Sequence, residues 1–192
     1  MKSKRNESAF EQAKTQLTQL EQLARQGWLQ VSYYDESGFS LTSCLPYAWQ
    51  EKGRTIGLVP GKGQRINVAG FYSKTGEWMH HTQLHSFKQQ DVMAFFDRYC
   101  ATIKQKTVVV LDNAPTHRSK AFQAKIKEWQ EQDLYLFFLP AYSPELNVIE
   151  ILWRQIKYRW LAFKAYLNFD TLTSHLEDIL NNIPTKYPIN FV

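Results

Sequence analysis

The stretch Thr107-Val-Val-Val-Leu-Asp112 constrains this chain most: an apolar, β-branched run that ends abruptly on a carboxylate. Bounded by Lys106 and by Asn113-Ala-Pro115, it reads as a strand buried on both faces, as central strands of a parallel sheet are. Asp112 then stands at the carboxyl end of that strand. In open α/β sheets this edge gathers ligands and reacting groups, and a carboxylate there needs a cation or hydrogen-bond donors for compensation.

Two further carboxylates have comparable settings. In Leu29-Gln-Val-Ser-Tyr-Tyr-Asp35 alternate residues share a face, and Glu36-Ser-Gly38 is expected to break the strand just after Asp35. Beyond the apolar run 134–139, the segment from Pro140 to Trp153 places Glu150 on the first turn of a helix. Taken singly, each has a plainer reading. Asp35 and Asp112 both precede turn-forming residues, and Asn147 with Glu150 forms an Asn-led variant of a capping box. The coincidence of three such positions favours a shared site.

Around them the pattern is a helix over 8–26 ended by Gly27, strands over 29–34, 39–45, 54–59, 66–73 and 77–83, and a helix from a capping box at Ser86 to about Lys104. Then come the 107–111 strand, a helix over 119–130, the 134–139 strand, a long helix over 147–164, and a shorter helix from Asn168 that Pro184 ends. The tail beyond Pro184 reads as loose. This order favours a mixed sheet with helices on its faces. The expected divisions are a connecting helix over 1–27, a catalytic domain over 28–165, and a terminal helix and tail over 166–192.

The 192 residues suit one domain, and a formal net charge of +5 points to an anionic partner, nucleic acid foremost. Arg154, Lys157 and Lys164 form a basic stripe leading away from Glu150, and Lys62 and Arg65 flank a Gly61-Lys-Gly63 hairpin tip; all five are candidate phosphate contacts. Cys44 and Cys100 have no CxxC spacing, so neither a disulfide framework nor a cysteine zinc site is indicated. No apolar run approaches membrane-spanning length, and the expectation is a cytoplasmic protein. His80, His81 and His85 invite a metal reading, but neighbours on a strand point to opposite faces, and surface histidines are the simpler assignment. Glu36 and Glu145 read as solvated or capping groups.

Three carboxylates at one edge repel one another unless cations hold them or their pKa values shift. Oxygen-only donors select Mg²⁺ or Mn²⁺, and two such ions suit in-line phosphoryl displacement. Asn113, His117 and Asn147 are candidate supports for this trio, with a DNA contact as the alternative for His117.

Asp35-Glu-Ser-Gly-Phe39, Leu111-Asp-Asn-Ala-Pro-Thr-His117 and Leu139-Pro-Ala-Tyr-Ser-Pro-Glu-Leu-Asn-Val-Ile-Glu150-Ile-Leu-Trp153 resemble the signatures of the DDE-type catalytic domain of mariner-like bacterial insertion-sequence transposases. The resemblance implies an RNase H-like α/β fold, a mixed five-stranded sheet flanked by helices. It implies that Asp35, Asp112 and Glu150 match the metal-binding triad, that DNA is cut at transposon ends and joined to a target, and that a homodimer acts on paired ends. Val148 stands where the family often has Pro. No helix-turn-helix spacing occurs, so the expectation is either a separate polypeptide carrying the DNA-reading module or a catalytic half left over from a degraded element. Another RNase H-like nuclease, or a non-catalytic DNA-binding remnant of a transposase, remains the alternative at this point.

Overall fold

The computed structural model describes residues 5–42, 52–53 and 63–189. Five strands form one sheet in the order β3-β2-β1-β4-β5, where β1 is Gln30–Ser40, β2 Arg65–Ser73, β3 Trp78–Gln83, β4 Thr107–Leu111 and β5 Leu134–Phe138. The first three are joined antiparallel, while β1, β4 and β5 run parallel, so the sheet is mixed as expected.

Alternation along each strand divides the core between the two faces of the sheet. Val108 and Val110 join Tyr33 in a cluster under α1 (Glu7–Arg25), α4 (Ile149–Gln155) and α5 (Phe169–Asn181). Val109 and Leu111 join Tyr34 in a second cluster under α2 (Gln89–Cys100) and α3 (Lys120–Gln130). On that second face Trp129 is wholly buried beside Phe96 and Phe122, and its indole N–H donates to Asp97 Oδ1 over 2.8 Å. All five residues of β4 are buried, as its double-sided role requires.

Several expectations need correction. β1 does not stop after Asp35; it runs through Glu36-Ser-Gly38 to Ser40, paired with β2 as far as Ser40↔Arg65. Gly38 serves close approach rather than a turn, because a Cβ there would fall 1.7 Å from Arg65 Nε. The strand expected over 39–45 therefore begins inside β1, and the one over 54–59 lies outside the described residues, as does Lys62. α2 starts at Gln89, where Asp91 rather than Ser86 supplies the cap, accepting from the Lys88 amide at 2.8 Å.

The single helix expected over 147–164 is broken. After Gln155 the backbone widens into a π turn, Ile156–Trp160, closed by Leu161 N–H donating to Ile156 O at 2.9 Å. Leu161 then turns extended with its side chain buried. Lys164 consequently sits on a separate 3₁₀ turn, Phe163–Tyr166, and not on the helix that carries Arg154.

The far end is not loose up to Ile189. Tyr187 packs against Trp160 with ring centroids 5.2 Å apart and donates to Asp178 Oδ2 at 2.9 Å. Nor does packing pause near 165: Leu172, Leu176, Ile179 and Leu180 of α5 belong to the same cluster as β1 and β4. Leu176→Ala is expected to lower stability by about 2–5 kcal/mol, in one cooperative transition followed by circular dichroism. A separate early transition assigned to α5 would show instead that the terminal helix is a unit of its own.

Candidate active site

The parallel register brings the first two carboxylates together. Tyr33↔Val110 is the last matched pair of β1 and β4, and Asp35 and Asp112 each lie two residues further on, hence on the same face of the sheet. Asp35 is therefore mid-strand in β1, but at the point where β1 loses its parallel neighbour and keeps only β2. α4 crosses that face with Glu150 in its first turn. Asp35, Asp112 and Glu150, with Asn113, Ser143 and Asn147, line one cavity of about 220 Å³.

Each carboxylate has its own partners. Asp112 Oδ1 accepts from the Ala114 amide at 3.1 Å, and His117 Nδ1 lies 3.0 Å from Oδ1 and 3.1 Å from the Asp112 carbonyl. His117 is buried edge-on to Tyr34, with its Nε2 lacking a partner among the described residues. Asp35 Oδ2 accepts the indole N–H of Trp153 at 3.0 Å.

The electrostatics differ accordingly. Burial, then Glu150 and Asp112, push the Asp35 carboxyl up to about 8, against the opposing pull of the Glu36 amide and Trp153. The hydrogen bond from His117 holds Asp112 below the usual carboxylate range. Burial raises Glu150 while Lys157 and Arg154 pull it back.

Asn147 is not a helix cap. Its side-chain amide donates to Tyr34 O at 3.1 Å, tying the loop before α4 to the residue preceding Asp35, and Val148 takes the cap position without a side-chain bond. Its Oδ1, like Ser143 Oγ, is buried without a partner among the described residues. Two orphaned polar oxygens and three carboxylates make an oxygen-only donor set, which suits a hydrated hard cation. Among the described residues no three His, Cys, Asp or Glu side chains converge closely enough to hold a single ion. The trio shares a cavity, with Asp35 and Asp112 turned towards protein donors.

The basic residues divide. Arg154 and Lys157 line a shallow groove with Glu150 and Trp153, and Lys157 Nζ lies over the Phe39 ring at 5.2 Å. Arg65 is exposed on the opposite sheet face, since its neighbour Ile66 faces the α4 side. His80 and His81 are half-buried rather than on the surface, His80 against Trp78 and His81 against Phe87. Glu36 accepts from Tyr34 Oη at 3.0 Å, and Glu145 pairs with Arg5 at 2.6 Å.

Sequence reasoning missed Trp153, Ser143 and Tyr142 as site residues. Trp153 carried only a core signal, three residues after Glu150. Tyr142 lines the cavity half-exposed in a left-handed conformation, φ 61°, which no residue-type signal announces.

A carboxyl raised from 3.8 to about 8 on folding binds its proton more tightly in the folded chain. The stability this contributes is full below about pH 4 and is lost as pH rises towards 8. Without divalent metal, Asp35→Asn should gain on the order of 2 kcal/mol over the wild type between pH 5 and pH 8, allowing for screening of a half-buried group. Parallel pH dependences in chemical denaturation would show that Asp35 carries no such load.

The sequence matches the family described as DDE superfamily endonuclease over residues 30–173. It is 28% identical over 130 residues to the insertion element IS630 uncharacterized 39 kDa protein of Shigella sonnei, a match covering 66% of this chain and 37% of that one. It is 29% identical over 68 residues to uncharacterized protein y4pE/y4sA of Sinorhizobium fredii, covering 35% of this chain and 46% of that protein. The chain thus spans less than half the length of these curated relatives. The catalytic domain of Mos1 mariner transposase superposes with a TM-score of 0.56 at 12% identity, over 90% of this chain and 80% of that one. Further Mos1 structures of similar likeness include paired-end complexes with Mn and with Mg. These superpositions show the RNase H-like fold, and the match over 30–173 makes the chain a member of the DDE superfamily endonuclease family.

Proposed function

We propose that this chain is the catalytic part of a transposase, cutting DNA at transposon ends and joining them to target DNA with divalent metal, Mg²⁺ or Mn²⁺. The observation that carries the reading is the cavity itself: carboxylates from β1, from the residue just after β4 and from α4 line one space in a DDE superfamily endonuclease. Asp35 and Asp112 would share the ions and Glu150 would complete a second site. Such ions, when bound, activate the attacking oxygen and stabilise the leaving one. Because each ion takes one or two carboxylates beside water and phosphate oxygens, the three side chains need not meet at one point.

The remaining roles belong to the chain's own residues. His117 fixes the Asp112 carboxylate through Nδ1, Asn147 ties the α4 loop to β1, and Asn113 lines the cavity beside them. Arg154 and Lys157 lie in the groove leading from Glu150, where a phosphate backbone would compensate their charge. Lys164, on the 3₁₀ turn beyond the π turn, would extend that contact, and Arg65, on the opposite sheet face, would do so only for a strand that wraps around the edge of the sheet. A homodimer on paired ends and a separate polypeptide carrying the DNA-reading module complete the proposal, and the cytoplasm is its setting. Among the described residues no helix is long and apolar enough to cross a membrane.

Supercoiled plasmid should be nicked by the protein with Mn²⁺ or Mg²⁺ and spared in EDTA, and Asp112→Asn should lower the rate by at least roughly a hundredfold. Nicking that Asp112→Asn leaves unchanged would refute the assignment, and selective cleavage of RNA–DNA hybrids would favour a different nuclease. Arg154→Glu with Lys157→Glu should weaken binding to unrelated duplexes alike, flattening the salt dependence by about one unit of slope for each phosphate no longer neutralised. Unaltered binding in filter assays would remove these two residues from the DNA path.

A further inference from the structure

Asp35 is paired across the sheet with Gly70, which is paired in turn with His80. Gly70 leaves a gap on the α4 face; the Trp78 ring fills it, with the edge of Trp153 beside it. A Cβ at position 70 would lie 3.3 Å from Trp153 Cη2 and 2.5 Å from the Trp78 ring. Packed against that ring, Trp153 is 3% exposed and its indole N–H reaches Asp35 Oδ2 at 3.0 Å.

Aromatic neighbours restrain the indole on two sides. Phe39 meets it edge-on at 6.3 Å and Trp78 at 5.9 Å between centroids. Trp78 is itself fixed by donating its indole N–H to Leu180 O of α5 at 2.9 Å. Asp35 is thus connected through two indoles to the helix that closes this face of the sheet.

We infer that Trp153 is a positioning residue for metal binding, holding one oxygen of Asp35 so that the other is presented to the cavity. The inference rests on the metal-dependent reading of that cavity. An indole N–H suits the task because it donates and never accepts, and it carries no charge. A Lys or Arg in its place would neutralise the carboxylate and compete with the cation. Trp153 also lies on the same helix as Glu150, so α4 supplies one carboxylate directly and sets the rotation of another. The distance between the two is thereby governed by one rigid element.

The test is Mn²⁺ binding by calorimetry to the wild type, Asp35→Asn, Trp153→Phe and Gly70→Ala, with folding checked by thermal melting. Trp153→Phe keeps an aromatic ring but loses the donor together with part of the bicycle; in the folded variant Mn²⁺ affinity should fall by roughly tenfold or more, the usual effect of removing a partner of a metal ligand. Gly70→Ala keeps the donor but pushes on the Trp78 ring, and through it on Trp153, and should weaken binding in the same direction. In the wild type, the Trp153 indole N–H cross-peak should move as Mg²⁺ saturates the site. Affinity within twofold of wild type in Trp153→Phe, or a cross-peak that stays fixed while Asp35→Asn abolishes binding, overturns the inference alone. Equal affinity in the wild type and Asp35→Asn overturns the metal-dependent reading of the cavity, and the inference with it.

Discussion

Carboxylates gathered in one cavity raise the free energy of their ionised forms, and everything around this site responds to that cost. Asp35 bears most of it, because it is the most enclosed of the three and feels both Glu150 and Asp112. Asp112 is relieved by His117, and Glu150 by Arg154 and Lys157. The unevenness has a consequence for chemistry. Asp112 is favoured as an anion, whereas Asp35 and Glu150 are both pushed towards their neutral forms and call for positive charge in the cavity. A hard divalent cation meets that demand with oxygen ligands alone.

Delivery of the three groups depends on two independent pieces of geometry. Parallel register between β1 and β4 sets Asp35 beside Asp112, and it holds because β4 is buried on both sides and cannot slip by one residue without exchanging its two cores. Glu150 arrives from a helix whose docking is fixed by Ile149, Leu152 and Trp153 in the first cluster and by the Asn147 bond to β1. α1 and α5 support this face from outside, α1 through Leu17 and α5 through Leu176 and its neighbours.

Sequence alone revealed the parts of the site that local patterns encode. The β4 run reveals Asp112 because a doubly buried strand has a distinctive composition, and the three motif blocks identified the catalytic family. Asp35 was found for a partly mistaken reason: Glu36-Ser-Gly38 looked like a break, but it continues as strand because β2 pairs alongside and Arg65 lies over Gly38. The π turn after Gln155 was invisible because an apolar stripe at helical spacing continues through it. Trp153 reaching Asp35, and Asn147 reaching Tyr34, span more than a hundred residues, and no periodicity carries contacts of that range.

The proposal stands or falls on whether these carboxylates hold divalent ions in their shared cavity. Anomalous diffraction at the manganese edge, from crystals grown with Mn²⁺, tests it most directly. The account predicts manganese in the cavity, within roughly 2.3 Å of oxygens from at least two of Asp35, Asp112 and Glu150, the spacing typical of hard cations with carboxylates. Manganese bound elsewhere, with that cavity holding only water at saturating Mn²⁺, would contradict it.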